Sequence, residues 1–285
     1  MKKRNSKTFI MTLMALFMTV SLFGQNFQGE ATYQTSMKMK NMQFKMEGMT
    51  PQMEEQIKAQ MQKQAQKEYT LKFNLTESVW KEVESLEGGG PAAASGAGGN
   101  VVIRIGGSGT NGSLYKNTAD QRVLEETELF SKPFLIDDEL ETREWELTDE
   151  SKQIGNYSAY KAIYSTVRER KTMTFGDGEE GEMKTISDTV RVEAWYTPEI
   201  PVSQGPDDYW GLPGLILEVK SGNMTYLCTK VVLNPEGGVN IKVPSKGKRV
   251  NREELSAIRE EKTQEMMKNF KNGKGNSTFR ISSGG

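Results

Sequence analysis

A mainly β fold, β-rich α+β in class, is what this 285-residue sequence predicts. The expected architecture is one antiparallel sheet, curved or rolled into a half-barrel, with two peripheral helices. Three observations predict it. Runs with an apolar residue at every second position recur along the chain, clusters of Gly, Pro, Asn and Asp separate them, and only two stretches carry a helical period.

Residues 1–25 stand apart from the fold. Lys2, Lys3, Arg4 and Lys7 precede the fifteen-residue apolar run Phe9–Phe23, which is short for a bilayer span and ends at Gly24-Gln25. This is the pattern of a secretory signal peptide. Its removal takes four of the 37 basic residues and none of the 38 acidic ones, leaving a net charge of −5. The expected destination is the periplasm, the outer membrane or the outside. With the signal removed, no transmembrane span is expected.

The domain proper is expected over residues 26–270. Phe27, Gly29, Ala31, Tyr33 and Thr35 alternate with polar neighbours, as do Tyr69, Leu71, Phe73 and Leu75. Further strands are read at Arg122–Phe130, Arg143–Thr148, Tyr157–Val167, Val190–Tyr196, Leu215–Lys220 and Met224–Leu233. The first helix follows Thr50-Pro51, a cap and a residue suited to the first helical position. Met53, Ile57, Met61 and Ala65 form its thin apolar stripe. The second begins at Asn251, which has capping-box spacing to Glu254, and carries Leu255, Ile258, Met266 and Phe270. Residues 87–112 hold ten of the 28 glycines and read as a flexible insertion; 271–285 read as a disordered tail.

The composition excludes several chemistries. With no histidine, there is no Ser-His-Asp or Cys-His site and no His metal site; Cys228, the single cysteine, leaves no internal disulfide. No basic patch points to nucleic acid, because the C-terminal lysines are interleaved with glutamates. The Gly107–Gly112 match to GxGxxG lacks the following helix that a dinucleotide site needs, and Ser158–Lys161 matches SxxK on a strand, which places its ends on opposite faces. No cofactor is implied.

One segment concentrates the unusual residues. "WYTPEIPVSQGPDDYWGLPGLILEV", Trp195–Val219, holds four of nine prolines and two of four tryptophans. Pro198 and Pro201 extend the chain, Gly205-Pro206 turns it, and Leu212-Pro213-Gly214-Leu215 has type II turn chemistry. The eighteen residues Thr197–Gly214 are too apolar for a disordered link, so they are read as a rigid Ω-like lid. The lid is either a plug that completes the core or a binding rim. The rim would comprise Trp195, Tyr196, Asp207, Asp208, Tyr209 and Trp210.

The segment "GPDDYWGLPGLILEV" resembles the signature of the GLPGLI family, exported proteins of Bacteroidetes. Gly211, Leu212, Pro213, Gly214, Leu215 and Ile216 are the hexapeptide, and "TKVVLNP" and "PSKGKRV" follow it. The resemblance covers roughly Phe27–Phe270. It implies an exported, sheet-rich protein without an established activity, catalytic residues or cofactor, and an outer-membrane receptor or another envelope protein as partner. The reading is therefore a non-catalytic envelope protein, a binding or accessory module built around the aromatic and proline loop. One alternative is soft-metal binding, copper above all, through the thioethers of residues 37–61, with Met37, Met39, Met42 and Met46 as ligands. A second is a carboxylate-based hydrolase using Asp207 and Asp208.

Overall fold

The computed structural model describes residues 27–38, 50–83, 112–174 and 182–272. The expected signal segment, Met39, Met42 and Met46, nearly all of the Gly-rich insertion and residues 273–285 of the expected tail lie outside them, while Lys271 and Asn272 end a helix.

Twelve strands form one sheet. They are β1 (Gln28–Met37), β2 (Glu68–Asn74), β3 (Glu77–Glu82), β4 (Ser113–Asn117), β5 (Arg122–Leu129) and β6 (Lys132–Glu139), then β7 (Glu146–Ile154), β8 (Tyr157–Thr174), β9 (Glu182–Thr197), β10 (Leu215–Ser221), β11 (Met224–Leu233) and β12 (Lys248–Val250). Helix α1 spans Pro51–Gln64 and α2 spans Arg252–Asn272. The spatial order is β12-β6-β5-β4-β3-β2-β1-β11-β10-β9-β8-β7. Sequential hairpins build each half, and β1 joins the halves by pairing with both β2 and β11.

Three features correct the expected architecture. The sheet is mixed, because β12 runs parallel to β6, Lys248 opposite Phe134 and Val250 opposite Ile136. After β11 the chain crosses to the far edge and arrives there in the direction of β6, so the last pairing cannot be a hairpin. The sheet is also open: β12 and β7 are its two ends, and it closes into no barrel. Finally, one helix and not two serves as a peripheral packing element. Leu255 of α2 is buried with Phe134, Ile136 and Val250, while α1 docks on no strand to a comparable extent. The segment of α1, QMEEQIKAQMQKQ after its proline, carries little apolar surface to hold it down. At its C-terminal end Thr35 Oγ1 donates to Ala65 O at 2.6 Å. The start of α2 is a reciprocal capping box, with Glu254 N donating to Asn251 Oδ1 at 2.7 Å and Asn251 N to Glu254 Oε2 at 2.9 Å.

The main core lies on one face of the sheet. Ala31 and Tyr33 of β1, Leu71 and Phe73 of β2 and Trp80 of β3 are buried there with Leu215 and Leu217. Tyr69 stacks on Trp80 at 4.7 Å and Tyr33 meets Trp80 edge-on at 5.3 Å. At the open edge, the β7–β8 register shifts between Leu147 and Ser151, a bulge that carries Asp149 and Glu150. Among the described residues no helix is long and apolar enough to cross a membrane.

Candidate functional site

Strand β9 ends at Thr197 and β10 starts at Leu215; Pro198–Gly214 lies between them, folded back onto the sheet. Its inward side chains are mainly apolar: Ile200, Val202, Tyr209, Trp210 and Leu212 are buried, together with Gln204, whose Oε1 accepts from Ser78 Oγ at 2.7 Å. Pro198, Glu199, Pro201, Gly211 and Pro213 are exposed. Backbone pairing holds the fold-back, with Leu215 N donating to Ile200 O and Ile216 N to Gln204 O, both at 3.0 Å. Two glycines permit it. A Cβ on Gly214 would lie 2.1 Å from Thr197 O, and Gly211 has φ +94°, which side chains rarely adopt.

One lysine anchors the segment from beneath. Lys116 of β4 is fully buried. Its Nζ donates to Gly205 O at 2.9 Å, Asp207 O at 2.5 Å and Tyr209 O at 3.1 Å. An ammonium has three protons, and here each has a carbonyl. Burial pulls the Lys116 pKa down to about 7, opposed by Asp208 and Asp207.

The two acids diverge. Asp207, at φ +52°, accepts from Tyr226 Oη at 2.8 Å, and burial, then Asp208, push its carboxyl up to about 7. Asp208 accepts from Arg143 Nη2 at 2.5 Å, and Arg143 Nη1 also donates to Asp208 O. The guanidinium lies over Tyr209 at 5.2 Å and Tyr164 at 5.7 Å. Two indoles fasten the same corner: Trp145 Nε1 donates to Trp210 O and Trp210 Nε1 to Glu141 O, both at 2.9 Å.

Of the six rim candidates, Tyr209 is 4% exposed and Trp195, Tyr196 and Trp210 are 8% exposed, while Asp207 and Asp208 are half-buried. The structure brings Asp207, Asp208, Tyr209 and Trp210 into one corner. Trp195 lies apart from it, under Lys152 and Lys161, with the Lys152 Nζ 4.2 Å from its ring centroid. Tyr196 packs with Tyr209 and Leu212. Sequence reasoning missed Lys116, Arg143 and Tyr226, which hold the loop. No local pattern marks Lys116, a single lysine in the strand Ser-Leu-Tyr-Lys-Asn. Of the proposed thioether ligands Met37 is described: half-buried at the end of β1, it stands opposite Met224 of β11, which the sequence reading did not include.

No curated protein matches the chain. Among solved structures, that of PNGF-II in the C2 space group is 14% identical with a TM-score of 0.45, over 81% of this chain and 32% of that one. PNGF-II in the P21 space group is likewise 14% identical, with a TM-score of 0.43 over 81% and 33%. The chain thus spans about a third of the length of those structures. The part of the chain that holds the loop is the part with a family match: residues 145–218, from Trp145 into β10, match the family described as "Protein of unknown function (Porph_ging)".

Proposed function

We propose that this protein is a non-catalytic, exported envelope module that binds or assists a partner through the outer ridge of the Pro198–Gly214 loop. The N-terminal basic and apolar pattern supports export, to the periplasm or the outer membrane. The hexapeptide Gly211–Ile216 with its flanks supports placement in the GLPGLI family, and an outer-membrane receptor or other envelope protein is the partner class. The observation that carries the reading is the division of labour within the loop. Its aromatic groups, Asp207 and Asp208 are used internally and Glu199 accepts from Ser158 N, while Pro198, Pro201 and Pro213 face outward on a backbone fixed by Lys116. A ridge already ordered before contact loses little entropy on binding.

The test is capture of envelope proteins by the tagged mature chain, compared with a Pro198→Ser, Pro201→Ser, Pro213→Ser variant of unchanged circular dichroism. Loss of a specific partner in the variant supports the role; identical capture profiles overturn it. A second reading, soft-metal binding, draws on the half-buried Met37–Met224 rung, whose Cβ atoms are about 5 Å apart in such pairs. Titration with Ag(I) decides it: unchanged uptake by a Met37→Leu, Met224→Leu variant removes the reading.

A further inference from the structure

Strand β5 turns into β6 through Phe130 and Ser131, closed by the rung Leu129–Lys132. Both turn residues are left-handed, with φ of 50° and 61°. Two-residue hairpins of this kind are ordinarily Asn-Gly, because both central residues must take positive φ. A Phe there is sterically disfavoured, and more so than a small polar residue. Phe130 is 45% exposed, whereas the neighbouring Leu129 packs with Phe134, Ile136, Val250 and Leu255. The fold thus holds a strained, nearly half-exposed aromatic in a hairpin turn.

The surroundings of the turn are basic. Lys132 closes the turn, Lys248 opens β12 on the adjoining edge with Lys246 two residues before it, and Lys242 lies further upstream; all four are exposed. The amides of Ser245 and Lys246 donate to Glu126 Oε1, four residues before Phe130 on β5. At about 3.3 Å per residue that places this segment roughly 13 Å from the turn. Nearby acids are already engaged: Asp137 by Arg122 and Arg249, Glu125 by Arg252, and Glu126 by those two amides. Glu126, whose amide partners are neutral, and Glu128, exposed opposite Pro133, offset two of the four lysines and leave the corner positive.

We propose that this corner is a membrane-contact site, in which Phe130 enters the interface of an anionic bilayer and Lys132, Lys246 and Lys248 pair with lipid phosphates. A hairpin turn with a partly exposed aromatic and long cationic side chains nearby matches headgroup depth and charge. The site is independent of the ridge of the Pro198–Gly214 loop, and the two stand or fall separately.

The experiment is co-sedimentation of the mature chain with vesicles. One set contains phosphatidylethanolamine and phosphatidylglycerol in equal amounts, the other phosphatidylcholine alone. Binding is expected on the anionic vesicles only and weakens with added salt. Replacing Lys132, Lys246 and Lys248 with Gln lowers the partition coefficient by about a hundredfold. Phe130→Asn lowers it by roughly tenfold while raising the urea midpoint, because Asn tolerates the turn better. Opposite movement of binding and stability is a signature that a purely structural residue does not give. No binding to anionic vesicles, equal binding to both sets, or partition unchanged in both variants overturns the site. So does a Phe130→Asn chain that loses capture of an envelope protein while wild type ignores the vesicles.

Discussion

The long connection Pro198–Gly214 and the two-residue connection Phe130-Ser131 use aromatic residues in opposite ways. The long one turns Tyr209 and Trp210 into the body and exposes its prolines; the short one holds Phe130 outward on a backbone that disfavours it. Length alone would have marked the first as the mobile element and the second as the rigid one. The contrast teaches that order follows from where the large side chains and the backbone carbonyls find partners. In the long connection three carbonyls converge on Lys116, and in the short one the turn stands on its own geometry.

That contrast breaks most sharply at its anchor. Lys116→Met leaves three buried carbonyls without their donor and is expected to lower unfolding stability by roughly 3–5 kcal/mol. Urea denaturation reads this, and a variant as stable as wild type would mean the loop holds itself. Trp210→Ala, which empties a buried site and removes the bond to Glu141 O, is expected to lose about 3–4 kcal/mol in the same measurement.

The pH dependence sharpens the role of the buried charges. The Lys116 pKa falls from 10.5 unfolded to about 7 folded, so between those values the unfolded chain binds more protons. Stability therefore rises with pH in that window, by at most about 1.4 kcal/mol per unit. Asp207 acts oppositely: its folded value of about 7 exceeds 3.8, so stability falls as pH climbs between them. Asp207→Asn should flatten the lower limb and Lys116→Met the upper one; limbs that persist in both variants assign the slopes to other groups. The smallest effect has the opposite sign. Phe130→Asn is expected to gain about 0.5–1 kcal/mol by relieving the turn, and a loss would mean the ring packs usefully after all.

The alternation in β1 and β2 was legible because one face of each is wet, whereas β10, buried from Leu215 to Val219, was marked by the turn residues before it. Strands β3, β4 and β6 were not legible, since Ser78-Val79-Trp80, Leu114-Tyr115-Lys116 and Phe134-Leu135-Ile136 are each buried in succession. Burial on both faces erases a period of two. At β6 the causes are specific: α2 covers Phe134 and Ile136, and Ile241 packs against Leu135 on the other side. The parallel β12 had no local signal, as three residues pair only because a distant segment returns to the edge. In the loop, prolines and glycines announced a rigid connection and its apolar content announced burial. Its partners Lys116, Arg143 and Tyr226 come from three separate elements, and pairing at such separation leaves no spacing to read.

The bulge of β7 matters beyond the hairpin that contains it. An unclosed sheet has two rims whose free amides and carbonyls could recruit another chain. One rim is interrupted where Asp149 and Glu150 project from the bulge, and the other is only the three residues Lys248–Val250. Neither of these rims offers a long flat template; the β8–β9 arm does, because β7 pairs with β8 only as far as Ile163 and β10 with β9 only from Val192, so another strand would add along that ribbon.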